Sequence, residues 1–175
     1  MKVARVKCGG GESVCKKIYD YIGIHDCMAV KLMHGGQYSC SHSCEGLGNC
    51  VRACDFDAIF IIDGVAGIIA SRCTACGKCA KACPKKLIDI VPAESRYTVR
   101  CSNRDKGSIV MKACAVGCIG CSRCVKVCGH EAVIVENNLA IIDPHKCVNC
   151  GECEKVCPTK CIQCYDCASA KTKTG

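Results

Sequence analysis

Tryptophan is absent from this chain of 175 residues, aromatic side chains make up 4 % of it, and only four prolines occur. A core filled by large rings is therefore thin, and something else must hold the fold. No window approaches the 18 or more apolar residues of a membrane-spanning helix, so no direct span is expected. Met1 is followed by Lys2, Val3, Ala4 and Arg5 with no apolar signal-peptide stretch, which argues against a secreted, disulfide-built domain. A dinucleotide fingerprint is missing too: Gly9-Gly10-Gly11 follows no long strand, and Gly35-Gly36 reads as a turn. No nucleophile–base constellation occurs, so no substrate-converting site is expected. His25, His34, His42, His130 and His145 show no paired helical spacing and read as surface or capping residues.

Cysteine is what the chain has in excess, with 24 residues. Such a count means a disulfide scaffold, zinc or iron–sulfur chemistry. The run Cys-x2-Cys-x2-Cys-x3-Cys-Pro occurs twice intact, as Cys73, Cys76, Cys79, Cys83, Pro84 and as Cys147, Cys150, Cys153, Cys157, Pro158. In that spacing three close thiolates bind one [4Fe–4S] cluster and the fourth ligates its neighbour. Zinc ribbons use paired motifs with longer spacers and no trailing Cys-Pro, so iron–sulfur is the expected cofactor and electron transfer the expected role. Free thiolates on this scale need a reducing interior. The formal charge of +8 would suggest a nucleic-acid or membrane-surface partner. An oxidised cluster with its four thiolates carries roughly −2, so four clusters approximately cancel that excess. With no stacking aromatics, no nucleic-acid partner is expected.

An interval of 74 residues organises the cysteines. It maps Cys27, Cys40, Cys44, Cys50 and Cys54 onto Cys101, Cys114, Cys118, Cys124 and Cys128, and Cys73, Cys76, Cys79 and Cys83 onto Cys147, Cys150, Cys153 and Cys157. The fold class expected is α+β: two tandem two-cluster (8Fe–8S) ferredoxin-like units. A lead-in at residues 1–36 would precede units at 37–96 and 97–163, with a tail at 164–175. Hairpins are predicted around Asp63-Gly64 and Asn137-Asn138. Short helices are predicted at 51–56, 80–83, 125–130 and 154–157, and helical segments at 12–21 and 26–33. Lys171 to Gly175 reads as a frayed end.

The interval also assigns ligands. Cluster 2 takes Cys73, Cys76, Cys79 and Cys54, cluster 3 takes Cys118, Cys121, Cys124 and Cys157, and cluster 4 takes Cys147, Cys150, Cys153 and Cys128. Cluster 1 is irregular, because Leu47 stands where the interval places the counterpart of Cys121. Cys44, Cys50 and Cys83 remain, and Cys40, four residues before Cys44, is the expected substitute; the alternative is a three-iron cluster. Cys8, Cys27, Cys101 and Cys114 form a candidate fifth site, against the plainer role of small buried hydrophobes. Cys15 is left over, Cys161 is expected to pack, and Cys164 and Cys167 are expected to be loosely exposed. Lys16, Lys17, Lys85 and Lys86 are candidates for steering an acidic ferredoxin, or simply solvated charge.

Several segments carry a more specific likeness: Gly46-Leu47-Gly48-Asn49-Cys50, Val99-Arg100-Cys101-Ser102-Asn103-Arg104-Asp105-Lys106-Gly107, Val116-Gly117-Cys118-Ile119-Gly120-Cys121 and Glu136-Asn137-Asn138-Leu139. Together with Cys157-Pro158-Thr159-Lys160-Cys161 they resemble the B subunit of the Rnf electron-transport complex over roughly residues 3–162. The resemblance implies an iron–sulfur subunit of a membrane ferredoxin:NAD+ oxidoreductase that couples electron flow to ion transport. It implies soluble ferredoxin as donor, other subunits of the complex as partners, and a place at the cytoplasmic face of the membrane. Leu47 lies within a resembling segment, so the irregular site looks like a family trait. Family members usually begin with a membrane helix and a further four-cysteine domain, and this sequence is expected to correspond to the part after both. The alternative is a free-standing soluble polyferredoxin shuttling electrons between anaerobic redox enzymes.

Overall fold

Residues 1–165 are described by a computed structural model. The first half of the chain contains β1 (Lys2–Val6), α1 (Cys27–Leu32), α2 (Asn49–Arg52), β2 (Ile59–Ile62), β3 (Val65–Ile68), a 3-10 turn at Ala70–Arg72, α3 (Lys78–Ala82) and β4 (Ile88–Pro92). The second contains β5 (Tyr97–Val99), α4 (Gly107–Ala113), α5 (Arg123–Lys126), β6 (Val133–Glu136), β7 (Leu139–Ile142), α6 (Glu152–Lys155) and β8 (Ile162–Cys164). Each half closes its first strand on its last. β1 runs antiparallel to β4 with Ala4 opposite Ile90, and β5 to β8 with Thr98 opposite Gln163. Between them sits one hairpin per half, β2–β3 and β6–β7.

Both hairpin turns follow from their residues. Asp63 and Gly64 have φ of +48° and +70°, and Asn137 and Asn138 have +48° and +63°. Two successive left-handed residues make the type I′ turn whose twist matches the flanking strands, and Gly, Asn and Asp tolerate it best. The helices beside the cysteine runs, α2, α3, α5 and α6, are four or five residues long and far too short to persist alone. Each is entered through a left-handed residue: Gly48, Gly77, Ser122 and Gly151. That reversal turns the chain back after the second cysteine and sets the third on the helix. At Gly151 a side chain would also strike the Tyr97 hydroxyl, 2.5 Å from an added Cβ.

Packing is built around sulfur. One core joins Ala4, Val6, Ile59, Val65, Leu87 and Ile88 to Cys8, Cys50 and Cys79. The other joins Val99, Val133, Leu139 and Ile162 to Cys101, Cys118, Cys124, Cys153 and Cys161. β1 is buried from Val3 to Val6, Arg5 included. The Arg5 guanidinium lies 4.4 Å from the centroid of the Tyr165 ring. The Tyr165 hydroxyl accepts from the Val6 N–H and donates to the Val6 carbonyl, both at 2.8 Å. The end of the second half is thereby docked on the first strand of the first half.

The structure departs from expectation in four places. Residues 12–21 form no helix: the Ile18 N–H donates to Gln37 and the Ser39 N–H to Lys16, so this stretch pairs in extended form with residues 37–39. Tertiary pairing overrides local helical preference there. The strands β1, β4, β5 and β8 and the helix α4 arise where the sequence pattern predicts no element. Cys164 is buried within β8 rather than loosely exposed, and Tyr165 is packed, so the ordered second half runs past residue 163. Cys167 and Lys171 to Gly175 lie outside the described residues.

Candidate metal centres

Four groups of cysteines are gathered by the turns just described. Cys54, Cys73, Cys76 and Cys79 line one pocket, floored by Ala4, Ile59 and Ile68. Cys118, Cys121, Cys124 and Cys157 line another, under Val135 and Ala140. Cys153 lies within the electrostatic reach of Cys147 and Cys150, and Cys128 packs against the same core. The fourth group is the irregular one. Its pocket is lined by Cys44, Cys50 and Cys83, and by Cys27 rather than Cys40.

Cys27 is delivered by α1. Asp26 caps that helix, accepting from the Met28 and Ala29 N–H groups at 2.7 and 3.0 Å. Asn49 clamps the same corner, donating to Asp26 at 3.0 Å and accepting from the Cys27 N–H at 3.0 Å. Arg52 donates to Asn49 at 2.7 Å and to the His25 carbonyl at 2.7 Å. The start of α1 is thus pinned to α2, which carries Cys50, and its first residue lines the first-half pocket as Cys121 lines the one in the second half. Cys40 is held elsewhere, in a pocket with Cys8, Cys101 and Cys114. The two candidates have exchanged places relative to the sequence expectation.

The donor set fits iron–sulfur clusters. Sulfurs of these groups receive backbone N–H groups: Ala4 to Cys73, Leu87 to Cys83 and Ala140 to Cys118, each at 3.4 Å. Such bonds stabilise sulfur carrying negative charge, which a neutral thiol barely rewards. Burial pushes the Cys50 thiol up to about 12 and the Cys153 thiol to about 11. Ligation needs thiolates, so assembly at these sites releases protons. Cys161, opposite Leu87 by the 74-residue interval, is buried with its sulfur 3.6 Å from that of Cys157. Hydrogen bonding with Cys161 is the main cause that holds the Cys157 thiol down to about 4 and the Cys118 thiol to about 6, the single Cys161 proton serving one sulfur at a time. Cys161 therefore packs as expected, beside Cys157 and Cys118. Cys76, Cys121 and Cys150, the middle members of the three regular triplets, are exposed, so each of those sites reaches the surface at one corner.

Beside the irregular pocket, Lys85 forms an ion pair with Glu45, whose side chains are 6 % and 1 % exposed. Lys85 is therefore no steering charge. Lys17 pairs with Glu12 at 3.2 Å and Asp20 at 3.7 Å, which leaves Lys16 and Lys86 as exposed cations of the four. Glu45 also accepts from the Gln37 N–H at 3.1 Å. Lys85→Met should strand the Glu45 carboxylate and cost about 3–5 kcal/mol, whereas Lys85→Met with Glu45→Leu should recover most of it. Denaturant unfolding of the loaded protein measures both. Among the histidines, His42 alone stands out, lining the pocket that holds Cys40.

Two family models, each described as a 4Fe-4S dicluster domain, match residues 72–132 and 117–162. They overlap, so they mark the cysteine motifs rather than unit borders. The B subunit of the ion-translocating oxidoreductase complex of Methanosarcina acetivorans is 39 % identical over 159 residues, 90 % of this chain and 60 % of the relative. The B subunit of the proton-translocating ferredoxin:NAD(+) oxidoreductase complex of Clostridium ljungdahlii is 43 % identical over 165 residues, 93 % of this chain and 58 % of the relative. The B subunit of the Na(+)-translocating ferredoxin:NAD(+) oxidoreductase complex of Acetobacterium woodii is 43 % identical over 162 residues, 92 % of this chain and 49 % of the relative. The chain spans about half to three fifths of the length of these curated relatives. Among the described residues no helix is long and apolar enough to cross a membrane.

Proposed function

The chain belongs to the family of these B subunits, and from that premise we propose that it is the iron–sulfur electron relay of an ion-translocating ferredoxin:NAD+ oxidoreductase complex. It takes electrons from reduced ferredoxin and passes them to other subunits, which hold it at the cytoplasmic face of the membrane. The observation that carries this reading is the grouping of cysteines from distant segments around separate pockets, with N–H groups aimed at their sulfurs. We assign [4Fe–4S] ligation to Cys27, Cys44, Cys50 and Cys83 (site one) and to Cys54, Cys73, Cys76 and Cys79 (site two). Cys118, Cys121, Cys124 and Cys157 form site three, and Cys128, Cys147, Cys150 and Cys153 form site four. Two sites per half make two 8Fe–8S ferredoxin-like units, repeated at 74 residues.

When bound, such clusters accept and release single electrons without a change of bonding in a substrate. The chain's own part is to hold and tune. Val6, Ile61, Ala66 and Ile88 wall site one, keeping water from the sulfurs, and burial and hydrogen bonding set the potential. The exposed corners at Cys76, Cys121 and Cys150 are where a partner's redox group can come near.

The test is anaerobic reconstitution followed by iron, sulfide and EPR analysis, then reduction by ferredoxin. At least about 16 iron and 16 sulfide per chain are expected, from four sites of four. Stoichiometric zinc without sulfide would sink the assignment. The reduced protein should then support NAD+ reduction only with membranes carrying the remaining subunits. Transfer to soluble acceptors alone would favour a free-standing polyferredoxin.

A further inference from the structure

We propose that Cys8, Cys40, Cys101 and Cys114 hold a fifth iron–sulfur cluster at the junction of the two halves. The inference rests on the relay reading of the other sites and adds a link between them. The four residues come from four separate places: the loops after β1, α1 and β5, and the end of α4. Two belong to each half. All are buried, between 6 % and 8 % exposed, and all line one pocket.

The space is of the size found at the regular sites. The cavity volume here is about 20 Å³, and the same volume is found at the pockets of sites two and three. Among the described residues no three Cys, His, Asp or Glu side chains converge closely enough to share a single metal ion.

The sulfurs also receive hydrogen-bond donors. The Cys44 N–H donates to Cys8 and the Asn103 side-chain amide to Cys40, both at 3.4 Å. Backbone N–H groups of Cys118 and Asn103 serve Cys101, and those of Val116 and Gly117 serve Cys114. Four neutral thiols packed as hydrophobes would leave these buried donors poorly satisfied. Asn103 is itself 1 % exposed, its carbonyl accepting from the Asp105 N–H at 2.7 Å, so its amide is fixed toward Cys40.

Two further features point to an occupant. Ser43 lines the pocket at 2 % exposure, and its hydroxyl has no hydrogen-bond partner. Burying an unpaired hydroxyl costs about 1–3 kcal/mol, which a cluster sulfide or ligand sulfur accepting from it would offset. Gly10 passes so near Cys114 that an added Cβ would lie 2.8 Å from its sulfur. Arg100 lines the same space, its guanidinium donating to the Cys8 carbonyl at 3.2 Å, so one fixed positive charge stands beside the site. Cys15 lies behind, its thiol donating to the Ala113 carbonyl at 3.3 Å, and does not line the pocket.

The position joins the halves. Cys44, a site-one ligand, donates its N–H to Cys8, and Cys118, a site-three ligand, donates its N–H to Cys101. The two units thus meet through this site. The deciding experiment counts iron and sulfide on the full chain reconstituted anaerobically, beside the double variant Cys101→Ala, Cys114→Ala. The wild type should carry about 20 of each and the variant about 16, with the regular EPR signals retained. A wild type with about 16 iron, or a double variant with undiminished iron, overturns the fifth site while leaving the relay intact; a wild type without iron overturns both. A single zinc bound at these cysteines also overturns it. If the variant does not fold, the wild-type count decides, and Ser43→Ala gives a second readout. That substitution should keep the iron content and lower one reduction potential in film voltammetry. Five unmoved waves would contradict the proposal.

Discussion

Cys27→Ala should degrade one cluster of the first half, converting it to a three-iron form or removing it, at a loss of about one to four iron per chain. Cys40→Ala should leave that site whole and strip the junction instead. The contrast follows from where the two thiols stand. Cys27 opens α1 and lines the pocket of Cys44, Cys50 and Cys83, held there by Asp26, Asn49 and Arg52. Cys40 receives the Asn103 amide and lines the pocket of Cys8, Cys101 and Cys114. A rescue separates ligand loss from general damage. Leu47 holds the place that Cys121 holds in the second half, so Leu47→Cys in the Cys27→Ala background should restore the missing iron. Iron analysis and the EPR signal of oxidised three-iron clusters report all three variants. Full iron content in Cys27→Ala, with an unchanged spectrum, would show that the corner is filled from elsewhere.

What the sequence revealed and what it hid divide along chain distance. The 4Fe-4S dicluster motifs around Cys73–Cys79, Cys118–Cys124 and Cys147–Cys153 were legible because three cysteines lie within seven residues. Cys27 was hidden because its approach depends on a tertiary clamp between α1 and α2, which no local spacing encodes. Nearness in sequence selects Cys40 beside Cys44, whereas the pockets group Cys27 with Cys44, Cys50 and Cys83, and Cys40 with Cys8, Cys101 and Cys114. The two hairpins were legible from turn chemistry alone. The outer strands were not: β1 carries a buried Arg5 among its apolar residues, which breaks the usual pattern, and Tyr165 from the far end of the chain packs on it. Steering by Lys85 failed for a similar reason, since its partner Glu45 lies forty residues away.

The similarity of the outer strands shows how the two halves differ. Val6-Lys7-Cys8 and Val99-Arg100-Cys101 occupy equivalent places: the Lys7 N–H donates to the Leu87 carbonyl and the Arg100 N–H to that of Cys161, both at 2.7 Å. Between Cys8 and Cys40 the first half carries more chain than the second carries between Cys101 and Cys114. That extra chain contains α1 and therefore Cys27. The excursion thus also places a cysteine in the pocket of Cys44, Cys50 and Cys83, where Leu47 offers none. Its apolar side chains Ile18, Ile22, Ile24 and Leu32 remain exposed, while Cys15, Val30 and Tyr38 are buried, so the excursion contributes to the core only in part.

Removing iron and sulfide with a chelator under anaerobic conditions should abolish cooperative folding, not merely loosen it. Cysteine is the commonest residue type in the buried apolar set, no phenylalanine belongs to it, and Tyr38 is its one aromatic member among the described residues. Phe56 and Phe60, at 43 % and 41 % exposed, contribute little. Few leucines and isoleucines remain to drive collapse, and every helix beside a cysteine run is too short to stand alone. A structural metal site contributes on the order of 10–16 kcal/mol of apparent binding free energy. A whole domain is stable by about 5–15 kcal/mol, so losing several sites exceeds any reserve. Buried donors such as the Leu87 and Ala140 N–H groups would at the same time face neutral thiols, and Cys50 would carry the penalty of burial without a cation beside it. Circular dichroism should therefore show loss of the strand signal, with no thermal transition left to fit. Survival of a cooperative transition in the stripped chain would mean that side-chain packing, and not the clusters, holds these two halves together.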